Sequence, residues 1–211
     1  MNIYLPMKDD LLDKGEGTIW TGGGLNLPKI TNFNGVKCAK FDGQERLRLD
    51  DTTLINSLKK WTIQVWIYPT KVGSSESQSF IFTNYMLGVS PTSAYLVLAL
   101  LGNTSILLGH EKTITIAPIF NAWHHIKLIN DGTKMSLFID RIDVGSISST
   151  DTTLTLPFTI GDESGGYGWD TKFHGYMTQF KFSDVYNDKD LPLNGSKFIY
   201  INKNNEVWAM V

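Results

Sequence analysis

Paired acidic residues are the first groups in this sequence that could do chemistry, because glycoside hydrolysis needs two carboxylates placed across a cleft. Neighbouring residues point to opposite sides of a strand, or else lie in a loop. The densest acidic groups are Asp9 with Asp10, Asp50 with Asp51, and Asp162 with Glu163. None of these pairs places two carboxylates on one face, so we interpret all three as solvated loop charge.

Histidine and serine chemistry has no better support. His124 and His125 are the one adjacent histidine pair, and in a strand their rings point to opposite faces, so that they cannot share a substrate. The G-x-S-x-G turn that holds a nucleophilic serine does not occur in the sequence. We therefore predict that the chain is not an enzyme.

A glycine-rich segment with two aromatic residues is the first candidate for ligand binding. Residues 165–170 read Gly-Gly-Tyr-Gly-Trp-Asp, so that Tyr167, Trp169 and Asp170 stand together shortly after Asp162. A sugar-binding site combines aromatic faces with nearby polar groups, since a sugar ring has a C–H face and a rim of hydroxyls. The alternative is that both rings close one end of the hydrophobic core.

Trp66 and Tyr68 form the second candidate for glycan binding. They lie in the alternating segment 61–68, which predicts a strand that ends at Pro69. Because side chains alternate across a strand, Trp66 and Tyr68 share one face. This face is either an aromatic platform or a surface covered by a loop such as residues 15–34, which are rich in glycine and asparagine and predict an irregular connection.

The remaining sequence is predicted to form short strands separated by turns, with a short helical turn within residues 51–60. Asp131 and Gly132 give the strongest hairpin signal. Alternating segments at regular intervals, with little helical periodicity, are typical of an all-β sandwich or jelly roll. The predicted strands are 79–83, 86–89, 94–101, 105–108, 113–117, 123–129, 134–139, 142–147, 154–160 and 175–182.

The overall composition excludes several classes of protein. The 211 residues carry a formal net charge of −2 without any Lys/Arg-rich run, so we do not expect nucleic acid as a partner. The single cysteine, Cys38, cannot form an internal disulfide, and we expect it to be buried as a small hydrophobic residue. The longest apolar stretch, residues 95–101, is much shorter than the ~20 residues of a membrane helix. Charges at Lys8, Asp9 and Asp10 precede any apolar run, which predicts that no signal peptide is present.

The C-terminal residues differ from the rest of the chain. Residues 197–201 and 206–211 are apolar around a polar loop, which predicts a β-hairpin. We divide the chain into a sandwich domain, residues 1–190, and a hairpin extension, residues 191–211. The hairpin either closes a sheet edge or attaches the protein to another chain or a second copy, because so apolar a hairpin must be covered. The candidate attachment residues are Phe198, Tyr200, Val207 and Trp208.

Four groups of segments, taken in order and spacing, carry a resemblance to a known family. They are 39–43 with 47–49; 61–69; 121–128 with 131–132 and 137–140; and 160–161 with 173–177 and 182–184. Together they resemble the laminin-G-like branch of the concanavalin A-like lectin/glucanase superfamily over residues 36–187. The resemblance implies an all-β jelly-roll sandwich of two antiparallel sheets. Arg141 stands where the family usually has glycine, and Thr178 and Gln179 replace a common acidic pair.

The same resemblance implies a structural calcium ion near the edge of the sandwich. Carboxylate and carbonyl oxygens are the hard ligands that Ca²⁺ prefers. The candidate ligands are Asp10, Asp42 and Asp184, and Asp10 would meet Asp184 if the first and last strands are neighbours. Because no dense ligand loop is present, we favour the alternative, in which all three are turn-forming aspartates.

The resemblance further implies a binding module. Proteins with this fold act mostly outside cells, whereas this sequence shows no export signal, and a phage virion protein released by lysis reconciles the two. Residues 4–13 also resemble the starts of laminin-G-like proteins in phage genomes. We expect a virion surface protein, either an adhesin for host glycans or a decoration bound to other virion proteins. The alternatives are a divergent glycoside hydrolase and a secreted carbohydrate-binding module whose signal has been removed.

Overall fold

The computed structural model describes residues 2–71, 79–84, 96–109, 112–148, 157–162 and 172–193 with their side chains, and residues 199–201 and 207–209 as backbone. These residues form sixteen strands and one short helix. The prediction of an all-β chain is confirmed. The predicted strand 86–89 lies outside the described residues.

The elements follow one another with short connections. The first are β1 (Asn2–Leu5), β2 (Lys29–Phe33), β3 (Val36–Asp42), β4 (Leu47–Leu49), α1 (Thr53–Asn56), β5 (Trp61–Lys71), β6 (Ser79–Thr83), β7 (Val97–Leu100) and β8 (Ser105–Leu108). The others are β9 (Lys112–Thr115), β10 (His124–Asn130), β11 (Lys134–Ile139), β12 (Ile142–Ser148), β13 (Phe158–Ile160), β14 (His174–Ser183), β15 (Ile199–Ile201) and β16 (Val207–Ala209).

Two antiparallel sheets make up the sandwich, as predicted. The larger sheet has the strand order β12-β11-β10-β5-β14-β3-β2, and β1 also pairs with β14. The smaller sheet has the order β4-β13-β6-β7-β8-β9. The predicted C-terminal hairpin is confirmed, since β15 and β16 pair antiparallel with each other.

The core lies between the two sheets and takes one face of each strand. Trp61, Ile63 and Val65 on β5 are at most 1% exposed. Phe82 on β6 and Phe158 on β13 stack in the same core, with ring centroids 5.9 Å apart. Burying each such side chain contributes roughly 1.5–3 kcal/mol, so this layer is the main source of stability.

Segment 15–34 is less irregular than predicted. It contains β2, which joins β3 through a turn at Asn34 and Gly35, whose φ angles are 51° and 80°. A two-residue Asn-Gly turn matches the twist of antiparallel strands because both residues tolerate positive φ. The predicted helical turn is confirmed as α1. Cys38 on β3 is buried, as predicted, and burial raises the pKa of its thiol to about 11.

The hairpin of β11 and β12 turns at Asp140 and Arg141, whose φ angles are 51° and 73°. Glycine tolerates this conformation best, which agrees with the family's preference for glycine in place of Arg141. In this chain the Arg141 Nε donates to an oxygen of Asp190 at 2.8 Å. An ion pair therefore offsets part of the backbone strain at this turn.

Candidate functional site

The outer face of the larger sheet points away from the core. On β5 it carries Thr62, Gln64, Trp66 and Tyr68, which confirms that Trp66 and Tyr68 share one face. Thr62 and Gln64 are fully buried, whereas Trp66 and Tyr68 are partly exposed. A buried outer face requires a second segment that covers it.

Residues 185–192, which we call the strap, provide this cover after β14 ends. The Thr62 hydroxyl donates to the backbone oxygen of Val185 at 2.8 Å. The Trp66 Nε1 donates to the backbone oxygen of Leu191, also at 2.8 Å. The strap is thus held by side chains of the sheet that bond to its backbone.

Gln64 bonds to the strap and to the sheet at once. Its Nε2 donates to the Lys189 backbone oxygen at 3.0 Å, and its Oε1 accepts from the Leu191 amide at 3.2 Å. The Nε2 atom of His125, on β10, lies 3.1 Å from the same Oε1. Burial lowers the pKa of His125 to about 4, so the ring is neutral at pH 7. His125 therefore supports the strap as an uncharged group.

Three ion pairs fix the strap to the sheet. The Lys127 Nζ lies 2.9 Å from one oxygen of Asp190, and the Arg141 Nε lies 2.8 Å from the other. The Lys181 Nζ lies 2.5 Å from an oxygen of Asp188. Burial raises the pKa of both aspartates, but the hydrogen bonds and charges of these partners outweigh it. The pKa of each carboxyl is therefore held below its ordinary value.

The outer face is divided into two halves. The strap half is the surface beneath the strap, formed by Thr62, Gln64, Trp66 and His125. The open half begins two residues further along β5 and consists of the partly exposed side chains of Phe33, Tyr68, Trp123 and Tyr176.

The covering segment is not the predicted one. Trp66 is covered by residues 185–192 and not by residues 15–34. From the latter range, Phe33 reaches the open half, where it stacks on Tyr176 with ring centroids 3.9 Å apart and meets Tyr68 edge-on at 4.8 Å. Phe33 packs beside these rings without burying them, since all three remain partly exposed.

A single row of residues organises the open half, with four members on four strands and a fifth just before β10. Tyr68 on β5 lies opposite Tyr176 on β14, Tyr176 lies opposite Lys40 on β3, and Lys40 lies opposite Lys29 on β2. Trp123, one residue before β10, continues this register beside Tyr68, with ring centroids 5.6 Å apart. This transverse row spans roughly 19 Å at ~4.8 Å per strand.

Sequence reasoning misses Phe33, Trp123 and Tyr176 as members of the site. One usable signal is the dipeptide Asn34-Gly35, which predicts a hairpin and would place Phe33 at the end of a strand. The register that brings Tyr176 beside Tyr68 has no counterpart in the local sequence, because it joins two distant strands.

Of the predicted glycan-binding loop, Tyr167, Trp169 and Asp170 lie outside the described residues. Asp162 is 2% exposed, and its backbone oxygen accepts the Thr159 hydroxyl at 2.7 Å. The prediction of solvated charge is therefore wrong for Asp162, which lies buried two residues after the end of β13. The predicted role of Asp162 in glycan binding stays a prediction.

The three candidate calcium ligands do not converge. Asp10 pairs with Lys14 at 2.8 Å. Asp42 lies opposite the start of β14, whereas Asp184 follows its end, roughly 30 Å away at ~3.3 Å per residue, so that these two cannot share an ion. In the described part of the chain no group of three or more His, Cys, Asp or Glu side chains could hold a metal ion. A calcium ion bound by Asp10 and Asp184 was the alternative prediction and is not tested. Its condition, that the first and last strands of the sandwich are neighbours, holds for β1 and β14.

The predicted attachment residues fall in or beside the hairpin. Tyr200 on β15 lies opposite Trp208 on β16, and Val207 begins β16. Phe198 lies outside the described residues. The division after residue 190 stays a prediction, although the strap makes its contacts with the sandwich on both sides of that point.

His124 and His125 diverge, as predicted. The His124 Nδ1 lies 2.6 Å from an oxygen of Asp140, whereas His125 lies beneath the strap. The buried Nε2 of His124 has no hydrogen-bond partner among the residues that the structure describes.

Asp188 and Asp190 are two acidic residues of the strap, and the Lys127 Nζ donates to the backbone oxygen of Asp188 and to the carboxylate of Asp190. Sequence reasoning misses both. Their lowered pKa values keep them deprotonated at neutral pH.

A sequence profile described as the concanavalin A-like lectin/glucanases superfamily matches residues 41–188. The chain belongs to this superfamily. The predicted family and the predicted jelly-roll sandwich are thereby confirmed. No curated protein matches the sequence of this concanavalin A-like chain. In its described residues no helix is long and apolar enough to cross a membrane.

Several solved structures share the fold of this concanavalin A-like chain. Domain 4 of AbnA, an extracellular GH43 arabinanase from Geobacillus stearothermophilus solved with arabinotriose, has a TM-score of 0.60 at 17% identity, over 86% of this chain and 90% of that one. The binding domain of Paraclostridial Mosquitocidal Protein 1 has a TM-score of 0.63 at 13% identity, over 88% and 49% of the two chains. A Trypanosoma rangeli sialidase has a TM-score of 0.62 at 14% identity, over 88% and 30%.

The present chain thus spans about half of the toxin chain and less than a third of the sialidase chain. At these identities the likeness shows the fold alone. The fold is lectin-like, and it occurs in binding domains as well as in the chains of enzymes.

Proposed function

We propose that this chain is a non-catalytic glycan-binding module of a virion surface protein. One observation carries the proposal: the strap covers half of the outer face and leaves the aromatic side chains of the open half partly exposed. Tyr68 and Trp123 meet edge-to-face there. A sugar ring places its C–H face on such rings, and its hydroxyls bond to polar groups nearby. The arabinotriose bound to the similar arabinanase domain is consistent with this ligand class.

The non-catalytic part of the proposal rests on charge. The strap carboxylates, Asp188 and Asp190, hold the strap through ion pairs and have lowered pKa values. A glycosidase needs one carboxyl group that keeps a proton near pH 7. A divergent glycoside hydrolase is the competing function, and release of reducing sugar from a bound glycan would establish it in place of ours.

A glycan array probed with the unaltered protein tests the binding function. We expect binding that falls at least tenfold in Tyr68→Ala and in Trp123→Ala. Tyr186→Ala is the matched control, because Tyr186 is a tyrosine of the strap that is 54% exposed outside the open half. Circular dichroism would verify that all variants are folded.

The variant Trp169→Ala separates the two candidate glycan sites. If binding is lost in Trp169→Ala and retained in Tyr68→Ala, the ligand binds at the loop 165–170 and not on the open half. If no folded variant and no unaltered protein binds any glycan, the glycan-binding function is wrong.

Attachment to another protein is the second candidate function. In the described backbone, β15 and β16 pair only with each other. A two-stranded hairpin by itself is marginally stable, so its apolar residues favour a protein partner, which we infer to be another virion protein. We expect deletion of residues 197–211 to abolish incorporation into virions while the sandwich still folds. Mass spectrometry of purified virions tests this, and full incorporation of the truncated protein would contradict it.

A further inference from the structure

We propose that the glycan on the open half is an acidic oligosaccharide whose carboxylate is held by Lys29 and Lys40. The inference rests on the proposed glycan-binding function and specifies its ligand class. Its basis is the transverse row, in which Tyr176 is followed on the next two strands by Lys40 and then Lys29. Aromatic rings and two ammonium groups therefore lie on one face, in one line.

Lys29 and Lys40 stand directly opposite each other on β2 and β3. Like charges in such a cross-strand pair are destabilising, so folding alone does not favour this arrangement. Neither lysine is buried. Within the described residues, the recorded ion pair of Lys40 is with Asp42 at 3.6 Å, and both side chains are about half exposed (49% and 51%). Such a surface pair is weak, which leaves Lys40 able to bind an external anion.

The neighbouring row adds to this charge. In it Lys71 on β5 lies opposite His174 on β14, and His174 lies opposite Asp42 on β3. The two rows thus carry three lysines and one aspartate, a formal charge of +2 from these four side chains, although the whole chain carries −2. A carboxylated ligand complements this surface, whereas a neutral glycan gains nothing from it.

The dimensions of the row favour an oligosaccharide. Tyr68 and Lys40 are separated by two strand spacings, roughly 10 Å. One sugar ring stacked on Tyr68 and Trp123 does not extend over this distance, so the carboxylate belongs to an adjoining sugar residue. Phe33, stacked on Tyr176, fixes the rings between the two contacts.

Binding of paired probes tests the inference. The probes are oligogalacturonate against its methyl ester, and sialyllactose against the methyl ester of its sialic acid, because the two members of each pair differ only in whether the carboxylate is charged. We expect the acidic member of at least one pair to bind more tightly, and this preference to fall about fivefold in Lys29→Gln and in Lys40→Gln, as expected for one lost charge contact. Raising the salt concentration from 50 to 500 mM should weaken acidic binding and leave neutral binding unchanged.

Lys59→Gln is the matched control, because Lys59 is an exposed lysine before the opposite end of β5, more than about 20 Å from Tyr68. The urea midpoint of Lys29→Gln should be equal to or higher than that of the unaltered protein, since a repulsive pair is removed. A lower midpoint would show that Lys29 is structural and would contradict the inference.

The inference and the proposed function fail in distinguishable ways. Neutral glycans that bind as tightly as acidic ones, with Tyr68→Ala still disruptive, would overturn the acidic ligand but retain the glycan-binding module. Equal binding of sulfated glycans that carry no carboxylate would also overturn it, because the site would then recognise negative charge in general. Absence of binding to every glycan would overturn both.

Discussion

The strap half and the open half lie on the same sheet face and begin two residues apart on β5, yet their aromatic side chains have different surroundings. Trp66 donates its indole N–H to the backbone oxygen of Leu191 in the strap, so this N–H and the part of the ring beneath the strap are not available to a ligand. Tyr68 contacts other rings of the open half and stays beside solvent. The comparison indicates that one half of this face maintains the fold and the other is available to a ligand.

The largest expected difference between the halves is in stability. Trp66→Ala removes a large packed ring and its hydrogen bond to Leu191, which we expect to cost about 3–4 kcal/mol of unfolding free energy. Tyr68→Ala should cost about 1–2 kcal/mol, because its ring is held by aromatic contacts at the edge of solvent. Urea unfolding measures both, and equal losses would argue against the division into two halves.

The strap half should also make stability depend on pH. The folded pKa of His125 is about 4, below the ~6.5 of an unfolded histidine, so the unfolded chain binds more protons between these values. The contribution is fully present above pH 6.5 and is lost as the pH falls to about 4, by about 3 kcal/mol in total. His125→Gln should remove this slope, whereas Tyr68→Ala should retain it. A slope unchanged by His125→Gln would contradict the role of His125.

A matched pair of lysine variants sharpens the comparison. Lys127→Met removes the cation that binds the backbone oxygen of Asp188 and the carboxylate of Asp190, and we expect a loss of about 2 kcal/mol. Lys40→Met, in the transverse row, should change stability by less than about 0.5 kcal/mol, because its pair with Asp42 is exposed. Thermal or urea unfolding of both variants is the measurement. A larger loss of stability in Lys40→Met than in Lys127→Met would contradict the assignment of the structural role to the strap half.

The smallest expected effect is at the turn beside the strap. Arg141→Gly removes an ion pair with Asp190 and also relieves a residue at φ 73°, so the two changes should cancel to within about 0.5 kcal/mol at low salt. In 1 M salt the ion pair is screened, and the glycine variant should be the more stable one. A strongly destabilised Arg141→Gly at high salt would show that Arg141 acts through packing instead.

The fold is largely predictable from local patterns. The alternation in residues 61–68 predicts β5 and the face that Trp66 and Tyr68 share, because side-chain direction in a strand has a period of two. Strand β2 was not predicted, although the sequence contains the signal for it. Asn34 and Gly35 form one of the strongest hairpin signals, and they join β2 to β3.

The candidate site is much less predictable. The transverse row depends on the register of β14 against β5 and β3, which the packing of the whole sandwich determines. The strap has no periodicity of its own, because several of its bonds to the sheet are made by its backbone, and Asp188 and Asp190 add ion pairs to distant strands. The burial of Asp162 is also not predictable from the sequence, because an aspartate next to another acidic residue is typical of an exposed turn.

Calorimetric titration of the glycan that binds best on the array, against Tyr68→Ala and Trp66→Phe, tests the central claim most directly. Trp66→Phe keeps an aromatic ring but loses the N–H that bonds to Leu191. Tyr68→Ala should weaken binding at least tenfold, while Trp66→Phe should lose about 1 kcal/mol of stability and bind within twofold of the unaltered protein. Unchanged affinity in Tyr68→Ala together with lost affinity in Trp66→Phe would contradict the account.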